Sequence, residues 1–336
     1  MKPWAWLAIA LQLGALVWIA GEREWIRRYS PTVYLRTAPV DPRDPFRGDF
    51  VRLEYDIGAL SAAQLQVLQP VMQLPRAVVY APLRIDERGV AELVGVGTGR
   101  PAEGLFIRGR VGTAVNRDWQ QRSDVLYGIE KYFVPQGAGL VIEEQRGMRN
   151  DWQTPMEVEV ALSAGGTPVI KGYRWSPLSI RLEIVEPGVA PLRDDVEPPR
   201  RRSPKLRISL RNQGDTAWTL LKDEAHCVWQ LLDNSAPGWQ PAPLARDCSG
   251  WEQHAQPLAL APGSSESWEF DLAESQWWLE RDGGRVEIGD PDHGWKLYRF
   301  VYMPPPTQDL PQPVDAAPIW RSALRTAQFN AGGRVD

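Results

Sequence analysis

The sequence predicts a mainly β protein with three parts: an N-terminal transmembrane helix, a compact β-barrel or β-sandwich domain, and an immunoglobulin-like β-sandwich domain. Short segments of alternating hydrophobicity, separated by Gly, Pro and Asn turns, and a content of 16 Trp and 30 Pro among 336 residues predict the β domains. One long apolar run near the start predicts the helix. The predicted division is 1–28 for the anchor, 29–183 for the first domain, 184–205 for a Pro- and Arg-rich linker, 206–303 for the sandwich and 304–336 for a Pro-rich tail.

The predicted anchor rests on residues 4–20, an apolar run without any charged residue. At 1.5 Å per residue, a helix of this length reaches about 25 Å, near the short end of a membrane span. Tryptophans lie near both ends of the run, as in the aromatic belts of membrane interfaces. We therefore expect contact with inner-membrane lipid through residues 4–26. The flanking tryptophans are Trp4, Trp6, Trp18 and Trp25.

The processing and orientation of this segment stay open. A cleaved signal peptide is the alternative, because Lys2 supplies a basic start, but a small-x-small cleavage pattern is missing at the end of the run. Arg23, Arg27 and Arg28 follow the run and, by the positive-inside rule alone, would leave the bulk of the chain in the cytoplasm. The family resemblance given below and the cysteine pair point instead to the periplasm.

Residues 41–57 join a charged, proline-containing ribbon to a strand. Pro42 and Pro45 fix φ and favour extended backbone in the residues before them, so the charged side chains lie on a stiff support. Gly48 permits a turn that a Cβ would hinder. Residues 51–57 alternate apolar and charged side chains, which predicts a strand with one buried face.

The rest of the first domain is predicted to be almost entirely strand. Ser61 and Gln64 form a capping-box pattern, which predicts a short helix over residues 62–69 that Pro70 ends. Turn residues 86–89 and 163–166 predict two hairpins. The predicted strands are 77–84, 90–96, 105–111, 125–134, 156–162 and 167–173.

The second half shows short alternating segments at near-regular spacing, which is typical of an immunoglobulin-like sandwich. Eight Trp between Trp218 and Trp295 are sufficient to fill its core. The Pro-rich tail is expected to contain at most a short helix over residues 320–326. The clearest strand segments are 206–210, 217–221, 267–272 and 297–303.

Four ordered motifs resemble the GDYXXLXY family of bacterial membrane-anchored proteins. The first is GDFVRLEY at residues 48–55, with Phe50 in place of the family Tyr, and the others lie at residues 105–111, 127–135 and 158–173. The resemblance covers roughly residues 1–175. It implies an inner-membrane anchor, a periplasmic domain and a polytopic membrane protein as partner, but no established activity.

One cluster of charged residues is a candidate binding site. Its guanidinium groups could recognise another membrane protein or an anionic envelope ligand. The alternative is that Arg–carboxylate pairs only fasten a rigid loop to the domain. The cluster consists of Asp41, Arg43, Asp44, Arg47, Gly48, Asp49, Arg108, Arg110 and Glu130.

Two functional classes follow from this cluster. We expect a periplasmic binding or assembly protein of a cell-envelope or membrane complex, without catalytic residues. The alternative is a membrane-anchored hydrolase that uses Asp49 and Glu130 as a carboxylate pair in a cleft.

The composition of the chain predicts neither a nucleic-acid partner nor a metal or cofactor. With 38 basic and 42 acidic residues and no long run of one sign, the chain shows no nucleic-acid-binding surface. Two Cys and three scattered His predict neither a metal site nor a cofactor. Cys227 and Cys248 are predicted to form a disulfide in an oxidising compartment, the alternative being two buried thiols.

Overall fold

The computed structural model describes residues 3–38, 50–72, 74, 76–112, 125–136, 138–147, 151–188, 202–234, 239–281, 283–290, 296–303 and 317–332. Strands dominate these residues, so the prediction of a mainly β protein is confirmed. Two separate hydrophobic cores are present, one built from residues 33–175 and one from residues 178–331.

In the described residues, three α-helices accompany the strands: α1 (Pro3–Tyr29), α2 (Ala62–Met72) and α3 (Ala138–Arg146). Within the described part of the chain, no helix combines the length and the hydropathy that a membrane span requires. The capping box of α2 is confirmed, because the amide of Ser61 donates to Gln64 Oε1 at 2.9 Å and the amide of Gln64 donates to Ser61 Oγ at 3.3 Å. The helix continues past Pro70 to Met72, since Leu68 and Val71 hold its last turn on the first core.

The first domain combines an antiparallel sheet in the order β10-β9-β1-β3 with a second sheet in the order β5-β4-β6-β7 and the pair β2-β8. Both predicted hairpins are present, β4–β5 and β9–β10. The predicted strand over 125–134 is interrupted by a turn. The strands are β1 (Thr32–Ala38), β2 (Phe50–Arg52), β3 (Glu54–Tyr55), β4 (Val78–Ile85), β5 (Ala91–Leu93), β6 (Phe106–Val111), β7 (Val125–Leu126), β8 (Lys131–Phe133), β9 (Met156–Leu162) and β10 (Pro168–Trp175).

The second domain packs several small sheets around an aromatic core in which Trp229, Trp268 and Trp277 are buried. Its finer classification as immunoglobulin-like stays a prediction. The strands are β11 (Leu178–Glu186), β12 (Lys205–Asn212), β13 (Trp218–Lys222), β14 (Trp229–Asp233), β15 (Gln240–Pro241), β16 (Gln256–Leu260), β17 (Ser265–Asp271), β18 (Leu279–Arg281), β19 (Gly284–Val286), β20 (Leu297–Tyr302), β21 (Leu324–Arg325) and β22 (Phe329–Asn330).

Two segments belong to a different part of the fold than the sequence predicts. Leu178 and Leu182 of β11 belong to the second core, so the change from one core to the other falls at residues 176–177 rather than at 184. Residues 317–332 are part of the second domain instead of a peripheral tail. β21 and β22 pair with β20, and Trp320 and Phe329 are fully buried, because each large ring finds a place among the aromatic side chains of this core.

Candidate functional site

The motif at residues 48–55 contributes mainly to the core. Val51, Leu53 and Tyr55 are buried, as the alternation predicts. The hydroxyl of Tyr55 donates a 2.9 Å hydrogen bond to the carbonyl of Ile129, and the amide of Leu53 donates to the carbonyl of Glu130. The motif strand is therefore fastened to the segment that carries the third motif.

A second tyrosine makes the reverse connection. Tyr127 of the third motif is buried, and its hydroxyl donates a 2.8 Å hydrogen bond to the carbonyl of Ile57. Its ring lies against Gly109, where an added Cβ would approach the ring to 3.0 Å. Burial raises the pKa of both tyrosine hydroxyls, and the charge of Glu130 adds to the effect. Tyr55 and Tyr127 thus form a reciprocal clamp between two motifs.

Glu130 stabilises the turn between β7 and β8. Its carboxylate accepts hydrogen bonds from the amides of Tyr127 and Gly128, and Gly128 adopts φ +81°. Local amides thus occupy both oxygens of a residue that the hydrolase hypothesis requires as a catalytic group. This geometry explains the interruption of the predicted strand and does not favour the hydrolase hypothesis.

Three residues of the predicted cluster, Arg108, Arg110 and Glu130, lie within the described part of the chain. Arg108 and Arg110 are exposed on β6 and flank the buried Gly109. The guanidinium of Arg110 donates to the carbonyl of Arg76 at 3.4 Å. The remaining candidates, Asp41, Arg43, Asp44, Arg47, Gly48 and Asp49, lie outside the described residues.

An unpredicted charged cluster lies where the two domains meet. Glu157 of β9 is fully buried and pairs with three arginines: Arg88 at 2.8 Å, Arg174 at 2.8 Å and Arg36 at 3.3 Å. Burial alone would raise the pKa of Glu157, but the charges of Arg36 and Arg88 and the hydrogen bond and charge of Arg174 outweigh it and hold the pKa below its ordinary value. The carboxylate is therefore charged at neutral pH.

Residues 320–323 of the second domain cover this cluster. The guanidinium of Arg88 lies 4.5 Å from the ring centroid of Trp320 and 5.9 Å from that of Trp218. The guanidinium of Arg36 donates to the carbonyl of Ala323, and the hydroxyl of Ser322 donates to a carboxylate oxygen of Asp86. Hydrogen bonds and cation–π contacts thus connect the two domains.

The only signal for this cluster in the sequence was the charge of Glu157 within an apolar strand. The same strand carries Glu159, which is about one-third exposed and pairs with Lys171. Alternation along β9 would place both glutamates on the same face. Nothing in the local pattern distinguishes the buried one from the exposed one.

A second contact between the domains, away from Glu157, contains an open groove of about 440 Å³. The guanidinium of Arg211 is 5.9 Å from the ring centroid of Trp152, and Gln213 Nε2 donates to Thr154 Oγ1 at 2.9 Å. The groove has a polar lining with one aromatic ring. Among the residues that the structure describes, no group of three or more His, Cys, Asp or Glu could hold a metal ion.

Cys227 and Cys248 are joined by a disulfide, with their Cα atoms 5.6 Å apart. The carboxylate of Asp223 accepts hydrogen bonds from the amides of Cys227 and Val228 and so orders the backbone at one end of the bridge. The bridge closes a loop at the edge of the second core.

Comparison with known protein families matches the model of the GDYXXLXY protein family to residues 12–172. Residues 12–172 are a GDYXXLXY region. The resemblance predicted from four motifs is thus confirmed, and the GDYXXLXY region includes the tyrosine clamp and Glu157. Comparisons with curated proteins and with solved structures find no match.

Proposed function

We propose that this protein is anchored in the bacterial inner membrane by α1 and acts as a binding and assembly protein of a cell-envelope or membrane complex, with its folded domains in the periplasm. The observation that carries this proposal is the environment of α1. Between Trp4 and Gly21, every residue whose side chain the structure describes is exposed, and none of the residues carries a charge. Although α1 does not reach the mean hydropathy of a membrane span, Gln12 is its only strongly polar side chain between these residues, and a helix that is hydrophobic all round is normally buried in protein or in lipid.

The end of α1 supports the same interpretation. Ile26 is buried against the first domain, and Arg23 Nη1 donates to the carbonyl of Pro168 at 3.3 Å. Trp25 and Tyr29 stay exposed with their ring centroids 4.5 Å apart, and such amphipathic rings favour a membrane interface. The helix is thus fixed to the domain at one end, while its apolar remainder is left for lipid.

The binding role is supported by the geometry of the described charged residues. Glu130 and Glu157 both have structural partners, so neither carboxylate supports the hydrolase alternative. We also propose an immunoglobulin-like sandwich for the second domain, in keeping with its short antiparallel strands and its disulfide-closed loop. The proposed partner is a polytopic membrane protein.

Partner capture from solubilised membranes tests the binding role. Full-length protein is crosslinked in membranes, extracted in mild detergent and analysed for co-purified membrane proteins. If residues 43 and 47 belong to a solvent-facing recognition surface, Arg43→Ala with Arg47→Ala should reduce capture of a specific partner without changing thermal stability, since a single charge on such a surface contributes about 1 kcal/mol or less. Arg207→Ala, at a half-buried position of β12 where the guanidinium pairs with Glu269, is the control.

Two results would contradict this assignment. Capture that is equal for both variants would remove residues 43 and 47 from the recognition surface. A large loss of thermal stability in the double variant would mean that these charges fasten the loop to the domain.

A further inference from the structure

Basic residues lie around the β9–β10 hairpin at the end of the first domain that contacts α1, two of them in contact through their side chains and one through its backbone amide. Arg100 Nη2 donates to the carbonyl of Ala164 at 2.8 Å, and the amide of Arg108 donates to the carbonyl of Gly166 at 2.8 Å. Arg23 of α1 reaches the carbonyl of Pro168. Three arginines from distant parts of the sequence therefore meet at one hairpin, and we call Arg23, Arg100 and Arg108 the hairpin arginines.

The hairpin arginines have no carboxylate partner among the described residues, and all three are exposed. Neighbouring basic residues differ in this respect: Lys171 pairs with Glu159, and Arg27 and Arg28 share Glu24. The end of the domain beside α1 therefore carries an excess of positive charge. That charge is available to an external anion.

The hairpin contacts α1 just beyond the uncharged part of the helix. This contact places the hairpin close to the boundary of the hydrocarbon layer. The uncharged part of the helix ends at Gly21, and Arg23 follows about 3 Å farther along the axis. The polar headgroup layer on each side of the hydrocarbon core is about 5–8 Å thick. A hairpin held by Arg23 thus lies at headgroup depth when residues 3–21 occupy the bilayer.

We propose that the β9–β10 hairpin rests on the membrane surface and that the hairpin arginines bind the phosphates of anionic phospholipids. This inference depends on the proposed membrane anchor. Guanidinium groups are well suited to phosphate oxygens, and a basic residue near an anionic surface changes the binding equilibrium about fivefold. Arg108 of the predicted cluster thus contacts lipid rather than a protein partner.

Full-length protein in phosphatidylcholine nanodiscs, with or without phosphatidylglycerol, tests the inference. A fluorescent dye is attached to Ala164→Cys at the hairpin or, as control, to Asp215→Cys in an exposed turn of the second domain. Energy transfer to labelled lipid headgroups reports proximity. We expect strong transfer from position 164 and weak transfer from position 215. Equal transfer from both positions would overturn the placement of the hairpin.

The lipid preference is measured on the same labelled protein. Transfer to labelled phosphatidylglycerol should exceed transfer to labelled phosphatidylcholine. The preference should fall by up to about fivefold for each of Arg100→Gln and Arg108→Gln. Arg110→Gln is the matched control, because Arg110 lies on the same face of β6 but contacts the carbonyl of Arg76. Equal effects of the Arg108 and Arg110 substitutions, or no preference, would overturn the proposed lipid site.

Failure of the anchor gives a different result. Protein that does not co-migrate with nanodiscs of either composition would contradict the membrane anchor itself. Co-migration without transfer from position 164 would contradict only the hairpin contact.

Discussion

At the residue scale, two buried hydroxyls connect the separate motifs of the GDYXXLXY region. Tyr55 donates to the carbonyl of Ile129, and Tyr127 donates to the carbonyl of Ile57. Each bond satisfies a carbonyl in the interior, where an unpaired polar group is costly. The tyrosine at the end of the motif at residues 48–55 is therefore explained by hydrogen bonding as well as by apolar burial.

Removal of either hydroxyl should weaken the first domain. Tyr55→Phe and Tyr127→Phe are each expected to lower the free energy of unfolding by about 1–3 kcal/mol, because a buried carbonyl loses its donor. Tyr173→Phe, at an exposed ring, should change it by less than about 0.5 kcal/mol. Chemical denaturation measures all three. Equal, small effects would mean that the clamp contributes nothing.

Substitution of the buried Glu157 should destabilise the protein far more than substitution of Glu159 on the same strand. Glu157→Gln leaves three arginines without their counter-charge, and we expect a loss of about 3–5 kcal/mol in the free energy of unfolding. Glu159→Gln breaks only a partly exposed pair with Lys171 and should cost about 1 kcal/mol or less. Denaturant titration of both variants makes the comparison. Similar losses in the two variants would contradict the buried network.

The same residue predicts a dependence of stability on pH. The pKa of Glu157 is lower in the folded protein than its ordinary value of 4.5, so the folded state favours the charged form. Its stabilisation is complete above pH 4.5 and is lost as pH falls through the lowered pKa. The free energy of unfolding of the wild-type protein should therefore fall in acid by the contribution of Glu157. The Glu157→Gln variant should not show this fall. Identical acid profiles would contradict the assignment.

At the scale of elements, periodicity predicted strands well but placed the domain boundary poorly. The alternating burial of residues 51–57 and the hairpins at 86–89 and 163–166 are present as predicted. The single strand predicted over 51–57 is instead divided into β2 and β3, and a 3-10 turn begins at Asp56. Leu178, Ile180 and Leu182 alternate equally clearly, but they follow a strand of the first domain after only two residues. Membership of a core depends on contacts across the chain, which a local pattern does not contain.

The candidate site was predictable only in part for the same reason. Arg108, Arg110 and Glu130 were noticed because they lie in motifs, yet the structure gives them separate surroundings. The cluster around Glu157 joins Arg36 and Arg174, which are separated by 138 positions in the numbering of the chain. No spacing rule applies to such a set, because the fold alone brings its members together.

The membrane role of α1 predicts a specific sensitivity to charge. Leu11→Arg with Leu13→Arg places two charges in the uncharged part of the helix, at a cost of about 2.5–3.5 kcal/mol each. We expect this variant to be lost from the membrane fraction after alkaline wash. Val67→Arg, at an equally exposed apolar position of α2, should be retained. Retention of the α1 variant would contradict insertion of the helix.

The loop closed by the disulfide gives a second test at this scale. A thiol count on unfolded, non-reduced protein should find no free cysteine. Replacing both Cys227 and Cys248 with Ser should lower the free energy of unfolding by about 3 kcal/mol, because the unfolded chain regains freedom. Two reactive thiols in the untreated protein would mean that the pair is reduced in its natural compartment.

At the scale of the whole molecule, residues 317–332 connect the two cores. Trp320 is fully buried in the second domain and also contacts Arg88 of the first. Arg325 pairs with Asp56, and Ser322 donates to Asp86, so one short segment contacts several loops of the first domain. Loss of this segment should therefore affect both domains.

Hydrogen exchange can measure the coupling between the domains. Trp320→Ala should increase exchange of the amides of β1 and β9 in the first domain as well as in the second core. Phe329→Ala is the matched control, since its ring stacks on Phe300 within the second core. Its effect should stay in the second domain. If both variants leave β1 and β9 equally protected, the domains are energetically independent.

The most direct test of the proposed role is protease accessibility of the full-length protein in spheroplasts, followed by alkaline wash of the membranes. An N-terminal anchor with periplasmic domains predicts that the protein stays in the washed membrane and that added protease degrades both β domains. Release of the protein by the wash would contradict the anchor. Retention with full protection from protease would place the domains in the cytoplasm and contradict the proposed function.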